Sequence, residues 1–139
     1  MTSQIVAVTR VDLQRLQTLL QSEFAVALGG GRSHLTELDN ALSRASVVES
    51  EEMVPDVVTM NSTVELLDLD RNDAETYTLV YPDEACIAEG KLSILSPLGA
   101  AVFGRRVGQS VSLHLLHCKT NKRVTRIYFQ PERAGAFQL

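Results

Sequence analysis

The spacing of apolar residues changes near Pro55, and this change divides the chain into a helical part and a β-rich part. Before it, leucines recur every three or four residues, which is the spacing of one helix face. From Asp56 onward, apolar and polar residues alternate, as they do in strands with one buried face. A chain that carries both periods in separate blocks is predicted to fold in the α+β class.

The helical part predicts two amphipathic helices joined by a short loop. Thr9 is suited to cap the first helix, whose apolar face comprises Leu13, Leu16, Leu19 and Leu20. Ser33 is suited to cap the second, which repeats at the spacing of a two-helix coiled coil through Leu35, Leu38, Leu42 and Ala45. Because Gly29-Gly30-Gly31 continues a helix poorly, we expect it to reverse the chain. The prediction is an antiparallel hairpin of about 20 Å, at 1.5 Å per residue.

The β-rich part predicts an antiparallel half-barrel that carries one short helix. Its expected strands lie at 57–60 together with 64–69, then at 75–81, 91–95, 111–115 and 124–129, with a turn at 119–122. Pro55 ends an acidic connector and blocks further helix. We therefore predict a hairpin domain at 1–48, a linker at 49–56 and a β-rich domain at 57–139.

The segment from Leu92 to Gly108 predicts a strand, a short helix and a turn into the next strand. Ser96 is a good N-cap, and Pro97 fits the first helical position. Gly99 has no side chain, so a partner's backbone could approach closely there. Gly104 and Gly108 can adopt the positive φ that ends a helix or makes a turn. On pattern alone, this segment is an insert that completes a core.

Composition narrows the classes of function. The net charge of −4 and the pI near 5.3 argue against a protein that holds nucleic acid by broad phosphate neutralisation. No apolar run approaches the length of a membrane span, so we expect no membrane contact and a cytoplasmic location. Acidic residues concentrate before position 90 and basic residues after 104. This asymmetry suits a protein partner with a charged surface, and an ordinary solvated surface equally well.

No constellation of residues predicts catalysis or metal binding. His114 and His117 fall in a strand and the turn after it, so they would not converge, and Cys118 does not complete a tetrahedral set. No serine lies in a G-x-S-x-G motif. The glycine run before Ser33 lacks the Lys-Ser/Thr ending of a phosphate loop. We expect no catalytic residue, no metal and no cofactor, and two reduced structural thiols at Cys86 and Cys118.

Four stretches resemble a known family in their order and spacing, namely 56–62, 77–82, 92–101 and 104–108. They resemble the Rnk proteins, regulators of nucleoside diphosphate kinase, which belong to the Gre transcript-cleavage factor family. The resemblance runs from about Ser46 to the C-terminus. It implies an FKBP-like domain of the Gre C-terminal type from Val57 onward.

The resemblance also implies a partner. Proteins of this family bind RNA polymerase beside the secondary channel, and the Ser96-Pro97 loop would lie near the β′ coiled coil. By this resemblance, the residues predicted to contact polymerase are Ser96, Pro97, Leu98 and Gly99. Arg105 is added because the Gre pattern has a basic residue after the glycine that corresponds to Gly104. Any contact with nucleic acid would then be indirect, through polymerase.

The hairpin departs from the Gre pattern. Gre factors have a long coiled coil whose acidic tip helps to hold a catalytic Mg²⁺. Here the turn from Leu28 to Arg32 contains no carboxylate, although Mg²⁺ needs oxygen ligands that usually include one or two carboxylates. We therefore predict polymerase binding without stimulation of cleavage, in competition with longer channel factors.

Two alternatives remain open at this stage. One is a genuine Gre-type cleavage factor. The other is an FKBP-like peptidyl-prolyl isomerase, which requires an aromatic-lined pocket. The chain has 5% aromatic residues, and we expect core-strand positions for Tyr77, Tyr81, Tyr128 and Phe129. A dimer through exposed hairpin leucines is a further possibility.

Overall fold

The computed structural model describes residues 6–26, 33–115 and 118–135, without the side chains of 23–26, 33, 34, 114, 115 and 118. The hairpin helices are α1 (Arg10–Val26) and α2 (Ser33–Ser43), flanked by β1 (Ala7–Thr9) and β2 (Ser46–Val48). The larger sheet contains β3 (Thr63–Asp68), β4 (Asp73–Val80), β5 (Lys91–Ser93), β6 (Ser110–Leu115) and β7 (Cys118–Phe129). Two short α-helices, α3 (Pro97–Val102) and α4 (Pro131–Ala134), and three 3-10 helices at Ser50–Glu52, Pro82–Glu84 and Ile87–Glu89 complete the described elements. This arrangement confirms the predicted α+β class.

The hairpin begins and ends on a pair of parallel strands. The backbone N–H of Asp12 donates to Thr9 Oγ1 at 3.1 Å, which confirms the predicted cap of α1. β1 and β2 pair in parallel with Val8 opposite Val47, and Ser46 N–H donates to the Val6 carbonyl at 2.8 Å. The sequence predicted only a connector at 47–55, because a strand of three residues is too short to show a period. With 17 residues, α1 is about 25 Å long.

The five strands of the larger sheet follow the order β5-β4-β3-β7-β6. The pairings β4–β3, β3–β7 and β7–β6 are antiparallel, as predicted. The edge pairing of β5 with β4 is parallel, so the half-barrel is mixed rather than wholly antiparallel. Parallel pairing requires the connection to bring the chain back alongside β4. It can do so without a long helix, because β5 pairs only with Thr78, Leu79 and Val80 at the end of β4.

Two local predictions are wrong. Residues 57–60 are buried but form no strand, and their ladder contact is a single bridge between Val57 and Arg106. Gln130 holds this segment instead, since its Nε2 donates to the carbonyls of Val54 at 2.8 Å and Val57 at 2.7 Å. The turn predicted at 119–122 is part of β7, because Asn121 and Lys122 pair with β6.

The hairpin and the sheet share one hydrophobic core. Leucines of both helices are buried in the same cluster as the inward face of the sheet, and α2 packs against α3. These hairpin leucines are Leu16, Leu20, Leu35, Leu38 and Leu42. These leucines are therefore not exposed for the dimer that the sequence left open. The domain boundaries at 48 and 57 stay a prediction.

Some expectations fall outside the described residues. These are the glycine turn at 28–32, the residue His117, and the side chains of His114 and Cys118. In the described part of the chain, no helix is long and apolar enough to cross a membrane.

Candidate functional site

The loop between β5 and α3 is built by hydrogen bonds between two serines. The backbone N–H and the hydroxyl of Ser96 both donate to the Ser93 carbonyl, at 3.1 and 2.6 Å. Ser96 Oγ in turn accepts the N–H of Gly99 at 3.0 Å, and Pro97 occupies the first turn of α3. The predicted N-cap and the predicted position of the proline are both observed. They give the loop a fixed shape in which few backbone groups need a further partner.

Gly99 faces the chain's own backbone and not a partner. It is buried, and an ideal Cβ at this position would lie 2.0 Å from the Ser93 carbonyl oxygen and 2.9 Å from its carbon. The expectation that a partner's backbone approaches Gly99 is therefore wrong. Its missing side chain is what allows α3 to pack on the end of β5.

The remaining residues predicted for the site are half-buried and lie at the two ends of α3. Leu98 packs partly against the core. Arg105 Nε donates to the Ala101 carbonyl at 3.0 Å, across the last turn of α3. The structure thus brings Ser96, Pro97 and Leu98 together at one end of this helix and Arg105 at the other. We call these four residues the α3 cap.

Two glycines shape the turns after α3, as the sequence predicted. Gly104 has φ of 79° and Gly108 has φ of 96°. Gly104 also contacts the start of the chain, because a Cβ there would lie 2.3 Å from Val6 Cγ1. The contact joins the N-terminal segment to the end of α3.

A buried carboxylate that the sequence did not single out lies between α1 and the sheet. Asp12 is 3% exposed, and its Oδ1 accepts the Tyr81 hydroxyl at 3.4 Å. Its Oδ2 has no hydrogen-bond partner among the described residues. Burial, together with the nearby Glu132 carboxylate, raises the pKa of Asp12 to about 6. The sequence showed Asp12 only as a residue of the first helical turn, with no signal that it would be buried.

The α3 cap does not form a catalytic arrangement. The Ser96 hydroxyl donates to a backbone carbonyl, so no base holds its proton. Among the described residues, no three His, Cys, Asp or Glu side chains converge as a metal would require. The α3 cap is a surface of small and apolar groups with one guanidinium, which suits contact with a protein.

The aromatic side chains of the described residues are divided between the core cluster and the surface. Phe103 is buried in the core, and Tyr81 contacts Asp12. Tyr128, expected in the core, is 47% exposed and donates to Glu65 Oε2 at 2.8 Å. Arg126 lies over its ring at 5.6 Å from the centroid. These positions do not favour the isomerase alternative.

Comparison with known proteins gives relatives along most of the chain. The family described as "Transcription elongation factor, GreA/GreB, C-term" matches residues 53–129, which include the α3 cap. The "Regulator of nucleoside diphosphate kinase" of Escherichia coli K12 is 35% identical over 135 residues, which cover 96% of each chain. The "Transcription elongation factor GreA" of Prosthecochloris aestuarii is 35% identical over 98 residues, which cover 69% of this chain and 61% of that protein.

A solved structure agrees with these matches. The GreA/GreB elongation factor from Nitrosomonas europaea superposes with a TM-score of 0.75 at 29% identity, over 91% of this chain and 100% of that one. The Gre and Rnk resemblance that the motifs predicted is thereby confirmed. From the match over residues 53–129 and the near full-length relative, the chain belongs to the GreA/GreB family of transcription elongation factors.

Proposed function

We propose that this chain regulates transcription by binding RNA polymerase beside the secondary channel, without stimulating transcript cleavage. The observation that carries the proposal is the family match over residues 53–129, because it spans the fold of the β-rich part and the whole α3 cap. A regulator of this kind would act with polymerase in the bacterial cytoplasm. It would bind no cofactor and contact nucleic acid only through the polymerase.

The proposed contact with the β′ coiled coil is the α3 cap. Pro97 and the exposed parts of Ser96 and Leu98 offer a rigid, uncharged surface, since the loop is held by its own hydrogen bonds. Arg105 adds a positive charge at the far end of the helix. Gly99 contributes indirectly, because its missing side chain lets α3 pack on the end of β5. A surface of this kind loses little conformational entropy on binding.

The absence of cleavage stimulation is inferred from the hairpin. A helix of 17 residues extends about 25 Å, and the matched part covers 61% of the GreA of P. aestuarii. The turn from Leu28 to Arg32 has no carboxylate to bind Mg²⁺. Such a hairpin would occupy the entrance of the channel and exclude longer factors, without chemistry of its own.

Binding can be tested with a substitution that preserves α3. A carboxylate at the first turn of a helix is favourable, so Pro97→Glu should leave the fold intact while placing a charge on the α3 cap. We expect Pro97→Glu to weaken binding to core polymerase about tenfold, or ~1.4 kcal/mol. Ala134→Glu, an exposed change in α4, is the matched control and should bind like the wild type. Equal affinity of all three proteins would remove the α3 cap from the interface.

Cleavage is tested separately with stalled elongation complexes and Mg²⁺. We expect no shortened RNA when the protein is added, and slower cleavage by an added Gre factor because both would compete for one site. Shortened RNA from the protein alone would support the cleavage-factor alternative. Retention of polymerase binding without any competition would place the contact away from the secondary channel.

A further inference from the structure

An open cleft of about 780 Å³ lies between α1 and the short 3-10 helix Pro82–Glu84 that follows β4. Its first wall is one side of α1, formed by Gln14, Arg15, Thr18, Leu19 and Ser22. Its second wall is Tyr81 with the three residues of the 3-10 helix. The volume is that of clefts which bind small molecules or single side chains of a partner. No residue of the α3 cap lines it.

The cleft has an apolar floor. Leu19 and Tyr81 are partly buried and pack against the common core, and Pro82 is half-buried beside them. These groups hold their positions without a ligand, because each rests on the core or on a rigid ring. An aliphatic side chain placed between Leu19 and Tyr81 would leave water at little cost in ordering the cleft.

The accessible charge of the cleft is negative. Asp83 and Glu84 are exposed, and among the described residues neither carboxylate has a hydrogen bond or an ion pair. Arg15 is different, since it lies at the Tyr81 hydroxyl and near the buried carboxylate of Asp12. Arg15 is also exposed, so the lining carries two carboxylates against one guanidinium and has a net negative charge. A ligand that enters the cleft meets two unpaired carboxylates above an apolar floor.

We propose that this cleft binds a basic amphipathic segment of a partner protein. An apolar side chain of that segment would enter between Leu19 and Tyr81, and its lysines or arginines would pair with Asp83 and Glu84. Charge complementarity selects this occupant, because an acidic segment would face two like charges and a purely apolar one would leave them unpaired. The proposal is independent of the α3 cap and does not assume which protein supplies the segment.

The test uses the full chain labelled with ¹⁵N and a synthetic helical peptide of leucine and lysine, about 14 residues long, or four turns. We expect saturable chemical-shift changes centred on Thr18, Ser22, Asp83 and Glu84. A matched peptide with alanine in place of leucine should bind at least tenfold more weakly, and one with glutamate in place of lysine should not bind.

Two pairs of variants separate the cleft from the general negative charge of the chain. Asp83→Asn with Glu84→Gln should weaken peptide binding about tenfold, whereas Glu51→Gln with Glu52→Gln, an equal change in another exposed 3-10 helix, should change it less than twofold. Thr18→Trp fills the cleft from α1 without changing charge and should also weaken binding. Thr36→Trp on the exposed side of α2 is its control.

Four results would overturn the proposal. Equal losses in the two acidic double variants would mean non-specific attraction. Shift changes centred on the α3 cap would place the site elsewhere. No saturation at millimolar peptide would mean that the cleft does not bind such a segment. A self-association that disappears in the Asp83 and Glu84 double variant would make a second copy of this chain the occupant.

Discussion

At the scale of single residues, Gly99 has the sharpest steric constraint in the described part of the chain. In most helices, replacing glycine by alanine favours folding by about 1 kcal/mol. Here the added Cβ would lie 2.0 Å from a backbone carbonyl oxygen that already accepts two hydrogen bonds from Ser96. The carbonyl cannot move without breaking the cap of α3.

We therefore predict that Gly99→Ala lowers the free energy of unfolding by about 3 kcal/mol, the size expected of backbone overpacking. Gly108→Ala is the control, because a Cβ there meets nothing within 4 Å and only its φ of 96° opposes the change. Urea unfolding should show the larger loss for Gly99. An unchanged or raised midpoint for Gly99→Ala would mean that α3 can shift away from β5.

Asp12 makes stability depend on pH. Its pKa is raised from 3.8 to about 6, chiefly by burial, so the folded state binds this proton more tightly than the unfolded state does. The protonated carboxyl group of Asp12 therefore stabilises the folded state relative to the unfolded state. This stabilisation is fully present below about pH 4 and is lost as the pH rises through 6. About two pKa units correspond to about 3 kcal/mol.

We predict that Asp12→Asn removes this part of the pH dependence. The variant should match the wild type near pH 4 and exceed its stability at pH 7, as measured by urea unfolding across that range. Tyr81→Phe should raise the pKa of Asp12 further and so enlarge the pH dependence, because it removes a hydrogen bond that favours the ionised carboxylate. Parallel stability curves for Asp12→Asn and the wild type would show that Asp12 is not the titrating group.

At the scale of elements, the residue before β1 packs on the turn after α3, in addition to the core that the hairpin shares with the sheet. Gly104, with φ of 79°, lies against the side chain of Val6. A Cβ at Gly104 would meet Val6 Cγ1 at 2.3 Å. Two costs follow from Gly104→Ala, one from the left-handed backbone and one from the contact with Val6.

A double-mutant cycle separates these costs. We predict that Gly104→Ala destabilises the protein by about 2 to 4 kcal/mol. Val6→Ala in the Gly104→Ala background should recover about half of the loss, since the smaller side chain removes the clash and leaves the backbone strain. Additive effects of the two substitutions would mean that the Val6 side chain does not rest on this turn.

The same elements show how far the sequence predicts this fold. The Thr9 and Ser96 caps, the hairpin helices and the antiparallel strands β3, β4, β6 and β7 each have a local signal of composition or period, and they are observed. The parallel pairs β1–β2 and β4–β5 have three residues in each register, so no period could reveal them. Residues 57–60 have a strand-like composition but are held by backbone hydrogen bonds of Val58 to Gly104 and Arg105 and by the Gln130 side chain, a contact 73 residues from Val57 that only the tertiary fold creates.

The candidate site was predicted less completely than the fold. Ser96 and Pro97 carry a local capping signal, and the structure places them as expected. The role of Gly99 was inverted, because nothing in the sequence says whether a missing side chain faces a partner or the protein's own backbone. Asp12 and the cleft beside α1 depend on how the hairpin lies on the sheet, which pattern alone does not specify.

At the scale of the whole molecule, the helices and the sheet depend on one core. Leu35 and Leu38 of α2 are buried in the same cluster as Leu66 of β3 and Ile94 beside β5. An isolated hairpin with helices of 17 and 11 residues would be marginal in water. The hairpin is therefore stabilised by packing on the sheet. The sheet would in turn expose part of its buried face to water if the hairpin came away.

We predict that the full chain unfolds in one cooperative transition. Helical circular dichroism reports the hairpin, and near-ultraviolet signals of Tyr77 and Tyr128, which both lie on strands, report the sheet, so the two should change at the same urea concentration. Leu38→Ala should cost about 2 to 5 kcal/mol and shift both signals together, whereas Leu69→Ala, at a site that is 38% exposed, should shift neither by much. If Leu38→Ala moved the helical signal alone, the hairpin would be an independent unit. The hairpin would then be free to move relative to the α3 cap, rather than being held in one position by the shared core.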